Sequence, residues 1–360
     1  MVSGRMTDSN WSTGVNLEGI NALSLKPGKS SAILPMSTPR FSFSTTAEEV
    51  ATALANEITG KNVLITGTSM NGIGFETARV IAKHANLVII TGYNEERLKL
   101  SEDALKRENP AANIRTLVLD LASLAAVRKG AAEVNTYSEP IHVLIHNAAA
   151  AIGPFNVTVD GFESQIATAH IGPFLFTKLI LPKLLAAGAP TPTYIPRVVY
   201  LSSEAHAFGN GVNLEAIGKP NEETYQSMMA YCEAKSANVL MGVEISRRSG
   251  GRVNGYSVHP GAIFTNIMQK EESLVDYQHF EILDKDGQPN PERFAWKTIP
   301  QGAATTIVAA FDPGLNDIPG TYLVDCNAAN DKAAAHSLDL NHAQKLWDVT
   351  EEIVGEKFEF

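Results

Sequence analysis

The sequence predicts an α/β fold, a doubly wound parallel sheet of about seven strands in a single domain, and three observations carry that prediction. Short, β-branched apolar runs recur at 62–66, 86–91, 114–119, 141–146, 197–201, 252–258 and 322–324. Amphipathic stretches such as 74–84, 95–108 and 121–134 lie between most of them, at the roughly 25–30-residue spacing of βαβ units. The runs are apolar almost throughout instead of alternating, so helices must cover both faces of the sheet. From Phe43 onward no internal repeat and no Gly/Ser linker divides the chain.

Composition limits what such a fold can serve. There are 29 Lys and Arg against 39 Asp and Glu in 360 residues, a net charge of −10, and no basic cluster is longer than Arg247-Arg248. That balance argues against nucleic acid and anionic lipid as partners. Cys232 and Cys326 make no disulfide framework and no Cys/His spacing suggests a metal, so a reducing, cytoplasmic setting is expected. No stretch reaches the ~18 uninterrupted apolar residues of a spanning helix; the nearest, 171–189, is broken by Lys178, Pro182 and Lys183. Residues 1–42 are rich in Ser, Thr, Gly, Pro and Asn without a regular apolar period. They are expected to be a disordered extension rather than a transit peptide, with Met36 as an alternative start.

The elements then follow in order. Thr45-Thr46 with Glu48-Glu49, ahead of the run 50–58, reads as a capped helix. The first strand ends at Thr66 and leads into Gly67-Thr68-Ser69-Met70-Asn71-Gly72-Ile73-Gly74, after which the helical period begins. A glycine turn there lets backbone N–H groups approach a pyrophosphate, whose charge the positive end of the helix dipole stabilises. Its place after the first strand of a βα series marks a dinucleotide site of the Rossmann type. The second strand ends in Thr91-Gly92-Tyr93-Asn94, with no carboxylate to hold the ribose 2′-OH of NAD and no arginine to hold the 2′-phosphate of NADP. Thr68, Ser69 and Asn94 are left to donate to a 2′-phosphate and Tyr93 to cover the adenine, which favours NADP(H) over NAD(H).

Tyr231 and Lys235 stand four apart at the start of a helical run and share one face. An ammonium one turn away favours the phenolate of a tyrosine whose reference pKa is ~10, so the pair suits proton transfer. Ser202 and Ser203 alternate across the end of the fifth strand, so only one of them can face a substrate. His170, His206 and His259 have neither triad partners nor metal spacing, and structural roles are expected of them.

Together these motifs resemble the short-chain dehydrogenase/reductase family, closest to its fungal and retinol-dehydrogenase-like members, from about Phe43 to the end. The resemblance rests on Thr66-Gly67 with Gly72-Ile73-Gly74, Asp120-Leu121, His146-Asn147-Ala148-Ala149, Ser202-Ser203, Tyr231 with Lys235, and Pro260-Gly261 with Thr265. It implies that Tyr231 is the general acid/base, that Lys235 lowers its pKa and bonds the nicotinamide ribose, and that Ser203 polarises the substrate oxygen. It further implies Asn147 under the cofactor, Asp120 with Leu121 near the adenine, and Pro260, Gly261 and Thr265 near the carboxamide. Four departures stand out: a glycine turn one residue longer than usual, His146 and Ala149 in place of asparagine and glycine, Tyr93 in place of an arginine, and Ala169 where an asparagine holds a water of the proton relay. The implied activity is an NAD(P)(H)-dependent interconversion of an apolar ketone or aldehyde and its alcohol; the irregular segments 206–229 and 262–299 offer Phe208, Phe264, Met268, Tyr277, Phe280 and Trp296 either to line an apolar pocket or to pack in the core. The departures leave two alternatives, a redox-inactive nucleotide-binding regulator or scaffold and a non-redox lyase or cyclase. Helices near 163–185 and 229–248 pair between subunits in this family, which allows a homodimer.

Overall fold

Every apolar run named above becomes a strand, because each has β-branched side chains to bury on two faces at once. The computed structural model describes residues 41–189 and 194–360; the extension expected at 1–42 lies, but for Phe41 and Ser42, outside the described residues. Strands β1 (Asn62–Ile65), β2 (Leu87–Gly92), β3 (Ile114–Val118), β4 (Val143–His146), β5 (Arg197–Leu201) and β6 (Asn254–His259) are mutually parallel. β7 (Ala262–Ile263) and β8 (Trp296–Lys297) pair with each other outside the sheet. β9 (Tyr322–Val324) runs parallel to β6, and β10 (Asn327–Ala328) adds an antiparallel edge. The sheet therefore has eight strands, ordered β10-β9-β6-β5-β4-β1-β2-β3, where about seven were expected. The extra one exists because Asp325 and Cys326 turn back at φ 51° and 66°, a conformation that Asn-Gly or Asp-Gly pairs normally announce.

The helices are α1 (Ala47–Ala53), α2 (Ala55–Ile58), α3 (Ile73–Ile81), α4 (Glu95–Glu108), α5 (Leu124–Thr136), α6 (Ser164–Ile166), α7 (Gly172–Gly188), α8 (Ser227–Arg248), α9 (Glu271–His279), α10 (Ile299–Phe311), α11 (Ala335–Leu338) and α12 (Leu340–Val354). The capping box of α1, Thr46 with Glu49, is present as expected. Successive strand residues face opposite cores: Leu64, Leu144, Val198 and Tyr200 pack under α5, α7, α8 and α12, while Val63, Ile65, Ile145 and Val199 pack under α1, α3, α4 and α10. Arg40–Phe360 is one compact unit. One turn of π-helix, Ala167–Ile171, joins α6 to α7, so 164–188 is a continuous helix long and apolar enough to cross a membrane. Its apolar surface is spent inside the fold, where Phe174, Leu175, Phe176, Ile180 and Leu184 are fully buried. β1 lies between β2 and β4, so the chain order reverses there and opens a crevice at the strands' carboxyl ends.

Candidate active site

The floor of that crevice is built from Thr66 and Asn147. The Thr66 hydroxyl accepts the backbone N–H of Asn147 at 3.0 Å and of Ala148 at 3.1 Å. Asn147 returns its side-chain amide to the carbonyls of Thr66 and Gly67, at 3.0 and 2.7 Å. Two glycines make this closeness attainable. Gly67 has φ +70° and a Cβ on it would sit 2.8 Å from Ala148 Cα, while a Cβ on Gly74 would sit 2.4 Å from Asn147 Nδ2. Gly72 begins α3 without any side-chain cap, and Ile73 packs partly buried behind it. The first N–H groups of α3 are thus left free at the crevice, the arrangement a phosphate needs.

Beside the turn, a recess is lined by Ser69, Tyr93, Asn94 and Arg97, with Thr68 beneath them. Thr68 is fully buried, and its N–H and hydroxyl both donate to the Thr91 carbonyl, at 2.9 and 3.1 Å; it turns inward, away from where a 2′-phosphate donor was expected. Asn94 caps α4 by accepting the Arg97 N–H at 2.9 Å. Tyr93 is 64% exposed. Arg97 is the residue that sequence reasoning missed, having looked for an arginine only at the strand end. The cap was the available signal, since an Asn at the start of a helix brings the residue three further on back beside it. Asp120 accepts the Ala122 N–H at 2.9 Å and Leu121 is buried behind it.

The serine pair separates cleanly. Ser202 is buried and donates to the Lys235 carbonyl at 2.7 Å. Ser203 accepts the Ala205 N–H at 3.2 Å, and its hydroxyl stands near enough to the Tyr231 phenol to lower it. Lys235 Nζ donates to the Leu201 carbonyl at 2.9 Å and lies 5.4 Å from the centre of the Tyr231 ring. Asn238, one turn further along α8, donates to the same carbonyl at 2.8 Å. Burial pushes Tyr231 up to about 12, against which the Ser203 hydrogen bond works, and pushes Lys235 down to about 8. Lys235, expected to lower the phenol, holds its ammonium on the Leu201 carbonyl beside the Tyr231 ring.

Over the phenol lies an apolar cover in which Tyr231 and Met228 pack with Ile152, Phe264, Met268, Tyr277, Phe280 and Trp296. Five of the six expected lining residues belong to it. Phe208 does not, and is 40% exposed. Pro260 is buried, and Gly261, at φ +99°, leaves room for the stem of Lys297, which a Cβ there would meet at 2.7 Å. Thr265 is buried and leads into Asn266, whose amide donates to the Met70 carbonyl of the glycine turn at 3.0 Å. His146 bonds Thr177 at 2.8 Å and stacks on Tyr200, and His170 bonds Thr350 at 2.7 Å; burial pushes both down to about 3. Ala169 is buried within the π-turn, and His170, also part of it, bonds α12 through Thr350.

The sequence pattern of the short chain dehydrogenase family matches residues 61–275, from the start of β1 into α9. The chain belongs to the short-chain dehydrogenases. This short-chain dehydrogenase is 35% identical over 315 residues to the chloroplastic short-chain dehydrogenase TIC 32 A of Brassica napus, covering 86% of this chain and 92% of that one. It is 32% identical over 300 residues to retinol dehydrogenase 11 of Homo sapiens, covering 83% and 87%. A gluconate 5-dehydrogenase from Burkholderia cenocepacia, crystallised with NADP and tartrate, has the same fold at a TM-score of 0.53, with 17% identity over 75% of this chain and 96% of that one. As a short-chain dehydrogenase the protein is an NAD(P)-dependent oxidoreductase of small molecules.

Proposed function

We propose that this short-chain dehydrogenase is NADP(H)-dependent and interconverts an apolar ketone or aldehyde with its alcohol. Ser203 carries this reading: with Ser202 bound to the Lys235 carbonyl, Ser203 is left beside the Tyr231 phenol, near an apolar cluster that includes Tyr231. The residues present fit a dinucleotide, because Gly67 and Gly74 let the turn close tightly on Ala148 and Asn147 and the first turn of α3 has no side-chain cap. Gly67, Gly72, Ile73 and Gly74 would hold the pyrophosphate. Arg97 would hold the 2′-phosphate with Ser69 and Asn94, Tyr93 and Asp120 with Leu121 would flank the adenine, and Asn147, Lys235, Pro260, Gly261 and Thr265 would hold the nicotinamide side.

The cofactor supplies a hydride in reduction and accepts one in oxidation. Ser203 donates a hydrogen bond to the substrate oxygen, where a fixed donor in a dry site is strongest as charge develops. Tyr231, held protonated at neutral pH by its burial, gives its proton to that oxygen in reduction and takes it back in oxidation. The nearby Lys235 ammonium stabilises the phenolate left behind. Ile152, Met228, Phe264 and Tyr277 exclude water and receive the apolar body of the substrate. Both cysteines are free and buried, as a reducing compartment such as the cytoplasm allows.

Tyr231→Phe tests the reading. Consumption of NADPH with decanal, acetophenone or cyclohexanone should fall about 10²- to 10⁴-fold while NADPH affinity is kept. An unchanged rate sinks the assignment, and NADPH binding without turnover of any carbonyl by the native protein favours the scaffold alternative that Ala169 raises.

A further inference from the structure

A short C-terminal helix reaches both halves of the catalytic group. Ala334, just before α11, donates its N–H to His206 Nε2 at 3.2 Å. Since Nε2 accepts there, the ring proton sits on Nδ1, which donates to the Ser203 carbonyl at 2.6 Å. His336, on α11, donates from Nε2 to the His206 carbonyl at 2.9 Å. Ser337 shares a 2.8 Å hydrogen bond with Ser236, the residue that follows Lys235 in α8. His206, Ser236 and Ser337 are all at most 1% exposed. The His206 ring also packs edge-on against Tyr322 of β9, with centroids 4.8 Å apart. Neither of its nitrogens is spare and its plane is fixed. The turn that bears Ser203 has left the sheet ladder; its other outside tie from this side is Glu204 N–H to His259 Nδ1 at 3.1 Å.

We propose that His206 is a positioning residue: its ring, gripped by Ala334, sets the Ser203 hydroxyl against Tyr231, and α11 is the brace that keeps the serine turn in register with the Tyr231 and Lys235 helix. This rests on the roles given above to Ser203 and Tyr231. His206 touches no reacting atom, and α11 lies beyond the residues by which the family was recognised. A misplacement of about 1 Å in a reacting group costs up to about 100-fold in rate, so a strut two bonds behind the serine has leverage.

Two substitutions separate the parts. His206→Phe keeps the ring and removes both hydrogen bonds, whereas His206→Asn retains a donor able to reach the Ser203 carbonyl and loses Ala334. With NADPH and decanal, acetophenone or cyclohexanone, His206→Phe should lower kcat about 10- to 100-fold and leave the NADPH Kd within about 2-fold, with His206→Asn between it and the native protein. In a Ser203→Ala background the same His206→Phe change should move kcat by less than about 2-fold, because it acts through the missing hydroxyl. The limb of the pH–rate profile that reports Tyr231 should shift to higher pH in Ser203→Ala, which deletes the hydroxyl that lowers the phenol, and in the same direction in His206→Phe, which displaces it. Equal losses in both backgrounds, or an unshifted limb, overturn the brace. If Ser203→Ala itself leaves turnover intact, or no carbonyl is turned over, the catalytic reading is what fails; the Ser203 Oγ to Tyr231 Oη separation in crystals of His206→Phe then judges the brace alone, and a retained contact overturns it. Should His206→Phe not fold, His206→Asn carries each of these measurements.

Discussion

Arg97 and His146 show how much single side chains can decide. With Arg97 meeting a 2′-phosphate, Arg97→Ala should weaken NADPH binding by about 10-fold or more, the worth of one charge-assisted hydrogen bond, and leave NADH binding unchanged; titration of cofactor fluorescence reads both. His146 tests linkage. Its folded pKa is about 3 because burial disfavours the charged ring, while the unfolded chain binds a proton below ~6.5. Between those values the unfolded state carries the extra proton, so stability falls as pH falls, by about 2 kcal/mol at pH ~5 for this one group. His146→Asn should therefore lose less stability than the native protein between pH ~7 and ~5 in urea unfolding. At this scale the glycines of the turn, Tyr231 and Lys235 were legible because their chemistry depends on local spacing. Spacing alone left Ser202 and Ser203 open and only the resemblance chose Ser203; the engagement of Lys235 with Leu201 and the separation of Phe208 from the apolar cluster were not legible, because each depends on what another element brings alongside.

At the scale of elements, the seven parallel strands could be read from apolar runs, whereas one helix start shifted where side chains captured the preceding backbone. The stretch 121–134 was expected to be helical, yet α5 begins at Leu124 because Asp120 first bonds Ala122 N–H and Ser123 then caps the helix through Ala126 N–H. The π-turn before α7 has no sequence signature at all. It is held from outside: Gly172, at its exit, lies so close to β3's following loop that a Cβ would come within 2.2 Å of the Leu121 carbonyl. Gly172→Ala should accordingly cost about 1–3 kcal/mol or more by overpacking, read as a lower urea midpoint with an unchanged slope. A neutral outcome would mean that Leu121 yields easily.

For the whole molecule, the two helices that pair between subunits in related proteins are already consumed. Only Pro182 and Ala186 of α7, and only Arg247 of α8, are exposed. Trp347 of α12 and Phe358 of the tail pack edge-on with Phe174, at centroid distances of 4.9 and 5.3 Å, and Arg248 lies over Trp347. Phe174 and Arg248, one on each helix, are therefore covered by the chain's own α12 and tail. The bond from Asn266 to Met70 carries a different consequence. It ties the glycine turn to the segment that follows β7, so those two loops cannot part without breaking it.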